Sequence, residues 1–343
     1  MGRRLATGML MAFVWGPYAS ADDLRVIQNP WYTDTAFHES YIEKYGYSPS
    51  FQSISPEEEL VDFITKNTNY DVARVCASSL NVLTSKNLLK PWDTSRIKDF
   101  DKIDPRFLFP DAAGNIYLIP FEFGSSVVVY NPESVPRQDT ASLSIFHNPA
   151  YENQLGLHAD IASIAAISFL AVGVTDWTKA TDEETEAALQ WWRDAQPNIG
   201  YYWSDEDPLI QEMAYGRIGL SYAFQEVATL LQDYGQKTAT VTATSEGGSI
   251  WSCGLVMSAD STANPEHIYD YVNDHFSEAA IRLLHDWKVT STNVEAAAEF
   301  LKTDSDNILG MPPADAPVLN QSPMPLAVRD KFLAEKKRMS LMP

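Results

Sequence analysis

Asn115–Val135, NIYLIPFEFGSSVVVYNPESV, decides how the rest of the chain is read. Pro120 leads into an aromatic–acid–aromatic triplet, Phe121, Glu122 and Phe123, followed by Gly124, Ser125 and Ser126. The run Val127–Tyr130 has no polar face, which predicts a strand buried on both sides. Pro120 and Gly124 punctuate its entry, and Asn131-Pro132 ends it. Small hydroxyl residues and one acid at the mouth of such a strand suit a crossing between two lobes, with a cleft beside it. Ser249–Met257, after Glu246-Gly247-Gly248, is a second apolar strand of the same style. The two bracket a middle segment with its own α/β content, as expected where a chain crosses between lobes and later returns.

Before the first crossing the pattern alternates. Leu24–Gln28, Ser50–Ile54 and Val72–Ala77 read as strands, with helices at Ala36–Tyr45 and after Ser55-Pro56-Glu57-Glu58. Those four residues supply an expected N-cap, first-turn proline and capping-box acid. Alternation of this kind predicts a parallel sheet with right-handed crossovers and a ligand site beyond the carboxyl ends of the strands. Residues 31–34 and 76–79 fall at those ends. In the middle segment Ile161–Val174 is apolar on most sides, hence a buried helix. Thr181–Glu184 is a capping box, Asp207–Tyr215 a helix ended by Gly216, and Ile218–Phe224 a strand. After the second crossing Pro265–Phe276, Ser277–Trp287 and Asn293–Leu301 read as helices. Residues 303–325 are loop-like, and a final helix follows.

The 343 residues suffice for two domains, and 45% hydrophobic with 21% charged is an ordinary globular composition. A net charge of −21 repels phosphates and anionic lipid heads, which argues against nucleic acid and membrane surfaces as partners. Arg3-Arg4, the apolar Leu5–Trp15 and Ala19-Ser20-Ala21 have the order of a signal peptide, cleaved after Ala21. The mature chain is expected to be exported and periplasmic. Cys76 and Cys253 are then open to forming a disulfide or to remaining buried thiols.

No metal-ligand spacing links the six histidines, and no P-loop, GxGxxG or GxSxG motif occurs. No cofactor, metal or catalytic residue is expected, and the chain is not read as an enzyme. His158 reads as a surface residue, and Lys331, Lys336, Lys337 and Arg338 as a solvated helix face. What recurs is an aromatic ring beside an acid or amide at strand ends: Trp31 with Asp34, Phe123 with Glu122, Trp203 with Asp205, Phe224 with Gln225, and Trp251 near Cys253. Rings with carboxylates suit an organic ammonium, through cation–π attraction and charge-assisted hydrogen bonds.

In this order, the pieces YDVARVCASS, NLLKPWD, IPFEFGSSVVVYNPESV, NPAYENQLGL and EGGSIWSCGLVM, with the stretch from Ser204 through Gly216 to Phe224, resemble the extracellular solute-binding proteins of ABC importers, specifically the spermidine/putrescine-binding group. The resemblance covers about residues 24–300. It implies an α/β, bilobal periplasmic-binding-protein (type II) fold: residues 22–123 plus 255–343 as one lobe, 124–254 as the other, and hinge strands near 123–130 and 249–257. It also implies a monomer that hands a polyamine or other small organic cation to an inner-membrane permease. Trp31, Tyr32 and Asp34 match the family's first aromatic–acid loop. Ser78 or Ser79 falls near its Ser/Tyr site, Asp160 matches an acid that meets an amine, Phe224 stands for a stacking Trp, and Trp251 matches another. Cys253 replaces a carboxylate, Ser163 a second acid, and Val289 stands near a Tyr position. Each lost charge pair is worth about 2–5 kcal/mol in binding. Glu122 or Asp205 stands to compensate, or the solute is a smaller amine, an amino-acid-like zwitterion or another polar molecule. By the same resemblance, Cys76 and Cys253 are expected near each other at the cleft. An exported enzyme on the same fold and a sensor without transport remain the competing classes.

Overall fold

The computed structural model describes residues 24–301 and 310–339. The first half runs β1 (Arg25–Gln28), α1 (Glu39–Tyr45), β2 (Ser50–Ser53), α2 (Glu57–Lys66), β3 (Val72–Cys76), α3 (Leu80–Ser85) and β4 (Leu89–Lys90). The long strand β5 (Ile119–Tyr130) leads to β6 (Leu155–His158), α4 (Ile161–Ala171), α5 (Asp182–Ala195), β7 (Ile199–Trp203), α6 (Glu206–Ala214), β8 (Leu220–Phe224), α7 (Gln225–Asp233) and β9 (Ala239–Val241). The second long strand, β10 (Gly248–Ser258), returns to α8 (Pro265–Asp274), α9 (Glu278–Asp286), β11 (Thr290–Ser291), α10 (Val294–Leu301), β12 (Val318–Asn320) and α11 (Leu326–Arg338). The expected signal peptide lies outside the described residues.

The main strand order is β2-β1-β3-β10-β5-β8-β6-β7. On one side β1 runs parallel to β2 and β3, and β10 closes against β3 in antiparallel register. On the other, β6 runs parallel to β7 and β8, and β5 closes antiparallel against β8. The first third of β5 therefore belongs to the first half, and Ser126–Tyr130, paired with β8, belongs to the second. All twelve residues of β5 are buried, which is why the sequence there has no polar face. The β5–β10 ladder shifts register between Cys253 and Gly254, opposite Pro120, which has no N–H to give. A Cβ on Gly254 would lie 2.2 Å from the Ile119 carbonyl oxygen, so that close passage needs glycine. The architecture is α/β and bilobal, two halves joined by two crossing strands.

Each half has apolar cores on both faces of its sheet. One face of the first half buries Phe37, Tyr41, Phe121, Tyr271 and Leu284, and the opposite face Leu60, Ile64, Val75 and Leu83. The second half buries Ile164, Phe169, Trp177 and Trp192 on one face, Trp203, Leu209 and Val227 on the other. α4 is buried from Ile161 through Leu170, as its composition requires. The capping box at Thr181 and Glu184 is present. At α2 the expected cap is absent. Pro56 is the N-cap, no side chain caps it, and the first-turn acids Glu57 and Glu58 accept from amides elsewhere. The last helix also departs from the expected division. Phe332 of α11 packs 5.8 Å from Phe169 and stacks 6.0 Å from Trp192, inside the core of the second half.

Candidate ligand-binding site

A cavity of about 370 Å³ lies between the halves. The short β–α joints that wall it carry the chemistry. Asn29 accepts the Trp31 amide N–H and starts the 3-10 turn Pro30–Thr33, which holds Trp31 exposed at the mouth and Tyr32 buried below. Trp287, at the end of α9, stands edge-on to both rings at 5.7 and 5.6 Å. Across the cleft, Phe224 ends β8 and meets Trp251 of β10 at 5.7 Å. His158 ends β6 and packs on Trp203 at 4.4 Å and Phe224 at 5.1 Å. It is thus a cavity wall rather than the expected surface residue, and burial pulls its pKa down to about 4.

Among the described residues, seven carboxylates line the same space against two basic side chains, Arg74 and Lys288. Asp205, Asp233 and Asp286 are exposed at the rim; Glu57, Asp160, Glu206 and Glu226 are partly buried. Glu206 and Glu226 occupy the first turns of α6 and α7, where acids complement the helix dipole. Burial pushes the Glu226 carboxyl well up, and Glu206 adds to the shift; Glu206 itself is raised, by burial first and then by Asp205. Glu57 is pushed up to about 7 by burial, against the Cys76 N–H and the Ser79 hydroxyl that bind its carboxylate. Asp160 caps α4, accepting from the Ala162 N–H at 2.9 Å and the Ser163 N–H at 3.3 Å.

Arg74 arrives from β3 and is 9% exposed. Its Nε donates to Glu122 Oε1 at 2.7 Å, and its Nη2 pairs with the same carboxylate. The Tyr32 hydroxyl donates to Glu122 Oε2 and accepts from Arg74 Nη2 at 3.2 Å. The guanidinium sits 4.0 Å from the centre of the Tyr32 ring. Burial is the larger effect and pushes the Glu122 carboxyl up, against the pull of Arg74 and Tyr32, while the guanidinium keeps its proton.

Of the residues singled out from sequence, Trp31, Tyr32, Ser78, Asp160, Asp205, Phe224, Trp251 and Cys253 line the cavity together, as do the departures Ser163 and Val289. Five do not. Asp34 is exposed and caps the turn Thr35–Phe37. Ser79 is buried under Glu57. Glu122 lies behind Arg74, Phe123 packs 4.6 Å from Phe107, and Gln225 is buried at the start of α7. Glu57, Arg74, Glu206, Glu226 and Trp287 also line the cavity, without standing at the aromatic–acid strand ends that the sequence singles out. Two of these are one residue beyond Asp205 and Gln225, because the helix, not the strand end, aims them inward. Cys76 and Cys253 sit opposite each other on β3 and β10, are joined as a disulfide, and both line the cavity.

Residues 57–273 match the family model of the bacterial extracellular solute-binding proteins. The chain belongs to that family. The spermidine/putrescine-binding periplasmic proteins of Escherichia coli K12 and Shigella flexneri are each 24% identical over 200 residues, 57% of this chain. The match spans 56% of each relative's length. Among solved structures, a spermidine/putrescine transporter substrate-binding protein of Streptococcus pneumoniae superposes with a TM-score of 0.72 at 18% identity, over 93% of this chain and 99% of that one. A GABA receptor gives 0.72 at 18%, over 92% and 99%. A periplasmic binding protein of A. tumefaciens B6 in complex with glucopine gives 0.71 at 11%, over 92% and 97%. These likenesses establish the type II binding-protein fold. Family and neighbours are solute-binding proteins, not enzymes, and imply an exported protein.

Proposed function

We propose that the chain is the substrate-binding component of an ABC importer. It encloses a small organic cation of the diamine or polyamine kind and delivers it to an inner-membrane permease as the halves close. The observation that carries this reading is the charge of the cavity: seven carboxylates among aromatic walls, with its buried arginine already paired. Carboxylates that burial has pushed up in pKa are stabilised when an ammonium replaces their lost hydration. Rings such as Trp31, Phe224, Trp251 and Trp287 favour the methylene stem and the cation together. Residues 1–21 act as the signal peptide in this reading, and the mature chain works as a periplasmic monomer.

One observation favours a second reading. The Trp251 indole N–H is buried without an acceptor among the described residues, which suits a cation that also carries a hydroxyl or amide oxygen. Native mass spectrometry of freshly purified protein, followed by thermal shift against putrescine, spermidine and hydroxylated amines, separates the two. A co-purified amine and a melting temperature that rises with amine concentration support the proposal. No shift at millimolar amine rejects it.

A further inference from the structure

We infer that Glu122, which does not reach the cavity, sets the class of solute the cavity accepts by neutralising Arg74 from behind. The inference rests on the cation reading above. A buried guanidinium in a cavity wall is otherwise a receptor for carboxylates, offering paired donors in a rigid fork. Here that fork is occupied. Both oxygens of Glu122 are used, one by Arg74 Nε and Nη2 and the other by the Tyr32 hydroxyl. Tyr32 also takes an Arg74 N–H and lies under the guanidinium, so it closes the other side of the pair.

Glu122 is fully buried on β5, where that strand is flanked by β10 and β11, so solvent cannot replace it. Glu57 is the other acid facing Arg74, and its carboxylate is already held by the Cys76 N–H at 2.9 Å and by Ser79. A solute carboxylate would therefore meet the acidic lining with no unpaired arginine among the described residues to receive it, Lys288 being the one other basic side chain described there. A solute carrying only ammonium groups meets no such penalty. Discrimination between the two classes thus depends on a side chain that touches neither.

The test compares two probes that differ in one end group, putrescine and 4-aminobutyrate, by isothermal titration. Glu122→Gln keeps the shape of the side chain and its acceptor oxygen but removes the charge. Glu122→Asp keeps the charge and draws it back from Arg74, which guards against a Gln variant that fails to fold. Wild type is expected to bind putrescine at least about a hundredfold more tightly than 4-aminobutyrate. In Glu122→Gln that ratio should fall by about tenfold or more, through weaker putrescine and new 4-aminobutyrate binding; in Glu122→Asp it should fall in the same direction by less. The double variant Arg74→Gln/Glu122→Gln should lose the new 4-aminobutyrate binding. An unchanged ratio in folded variants overturns the inference while leaving the cation reading intact. Equal wild-type affinity for both probes also overturns it. Wild type that binds neither overturns the cation reading and the inference with it.

Discussion

Burial sets the charge of the groups inside the cleft, and this gives solute affinity a pH dependence of known sign. Glu57 titrates near 7, above the ordinary 4.5 of its side chain, because burial disfavours the carboxylate. A carboxyl raised in the folded state favours folding most below its ordinary pKa, and that contribution is lost as pH climbs from 4.5 to about 7. A bound ammonium needs the ionised form, so affinity moves the other way. It should weaken by up to about tenfold per unit as pH falls below 7. Glu57→Gln should bind more weakly at high pH but with a flatter profile, as titrations from about pH 5 to 8 would read. His158, held neutral down to about 4, should add no charge across that window. These groups were hard to read because the fold brings their burying partners from elsewhere in the chain, Cys76 and Ser79 to Glu57, Trp203 and Phe224 to His158. Nothing local to HAD or to SPEEEL marks His158 and Glu57 as cavity walls.

At the scale of elements, the two hinge strands were legible, as were α2, α6 and α9 beside the site, but α7 was not. β5 and β10 are buried on nearly every residue, so their apolar runs admit one reading. α7 starts directly from β8 without a side-chain cap and runs only nine residues, so no start signal announces it, yet it carries Glu226 into the cavity. Lys336, expected on a solvated helix face, is instead 3% exposed and bound to Glu58. Gly124 shows how tightly the strands are fitted. A Cβ there would lie 2.4 Å from the Trp251 ring, which faces it across the ladder. Gly124→Ala should therefore displace Trp251, costing about 1–3 kcal/mol of stability and weakening solute binding. Chemical denaturation and titration of the same variant check both effects.

For the whole molecule, the halves are held by more than their hinge. Glu58 of α2 accepts the Ile161 N–H at the start of α4 at 2.8 Å and pairs with Lys336 of α11, both in the second half. Any opening of the cleft on that side must break this contact. Lys336→Met should leave Glu58 partly buried without its cation, costing about 1–3 kcal/mol, and should raise the radius of gyration of the solute-free protein in solution scattering. The Cys76–Cys253 disulfide joins residues 177 apart across the β3–β10 ladder. Replacing both with serine should destabilise the chain by about 2–4 kcal/mol, read as a lower denaturation midpoint.

The central claim is that an acidic, aromatic cleft between two halves takes a small organic cation. Isothermal titration of the mature protein with putrescine and spermidine at about pH 8, where Glu57 is ionised, tests it most directly. The account predicts saturable binding with one site per chain, weakened by Glu226→Gln. No heat at millimolar solute, or equal binding by the Glu226→Gln variant, would contradict it.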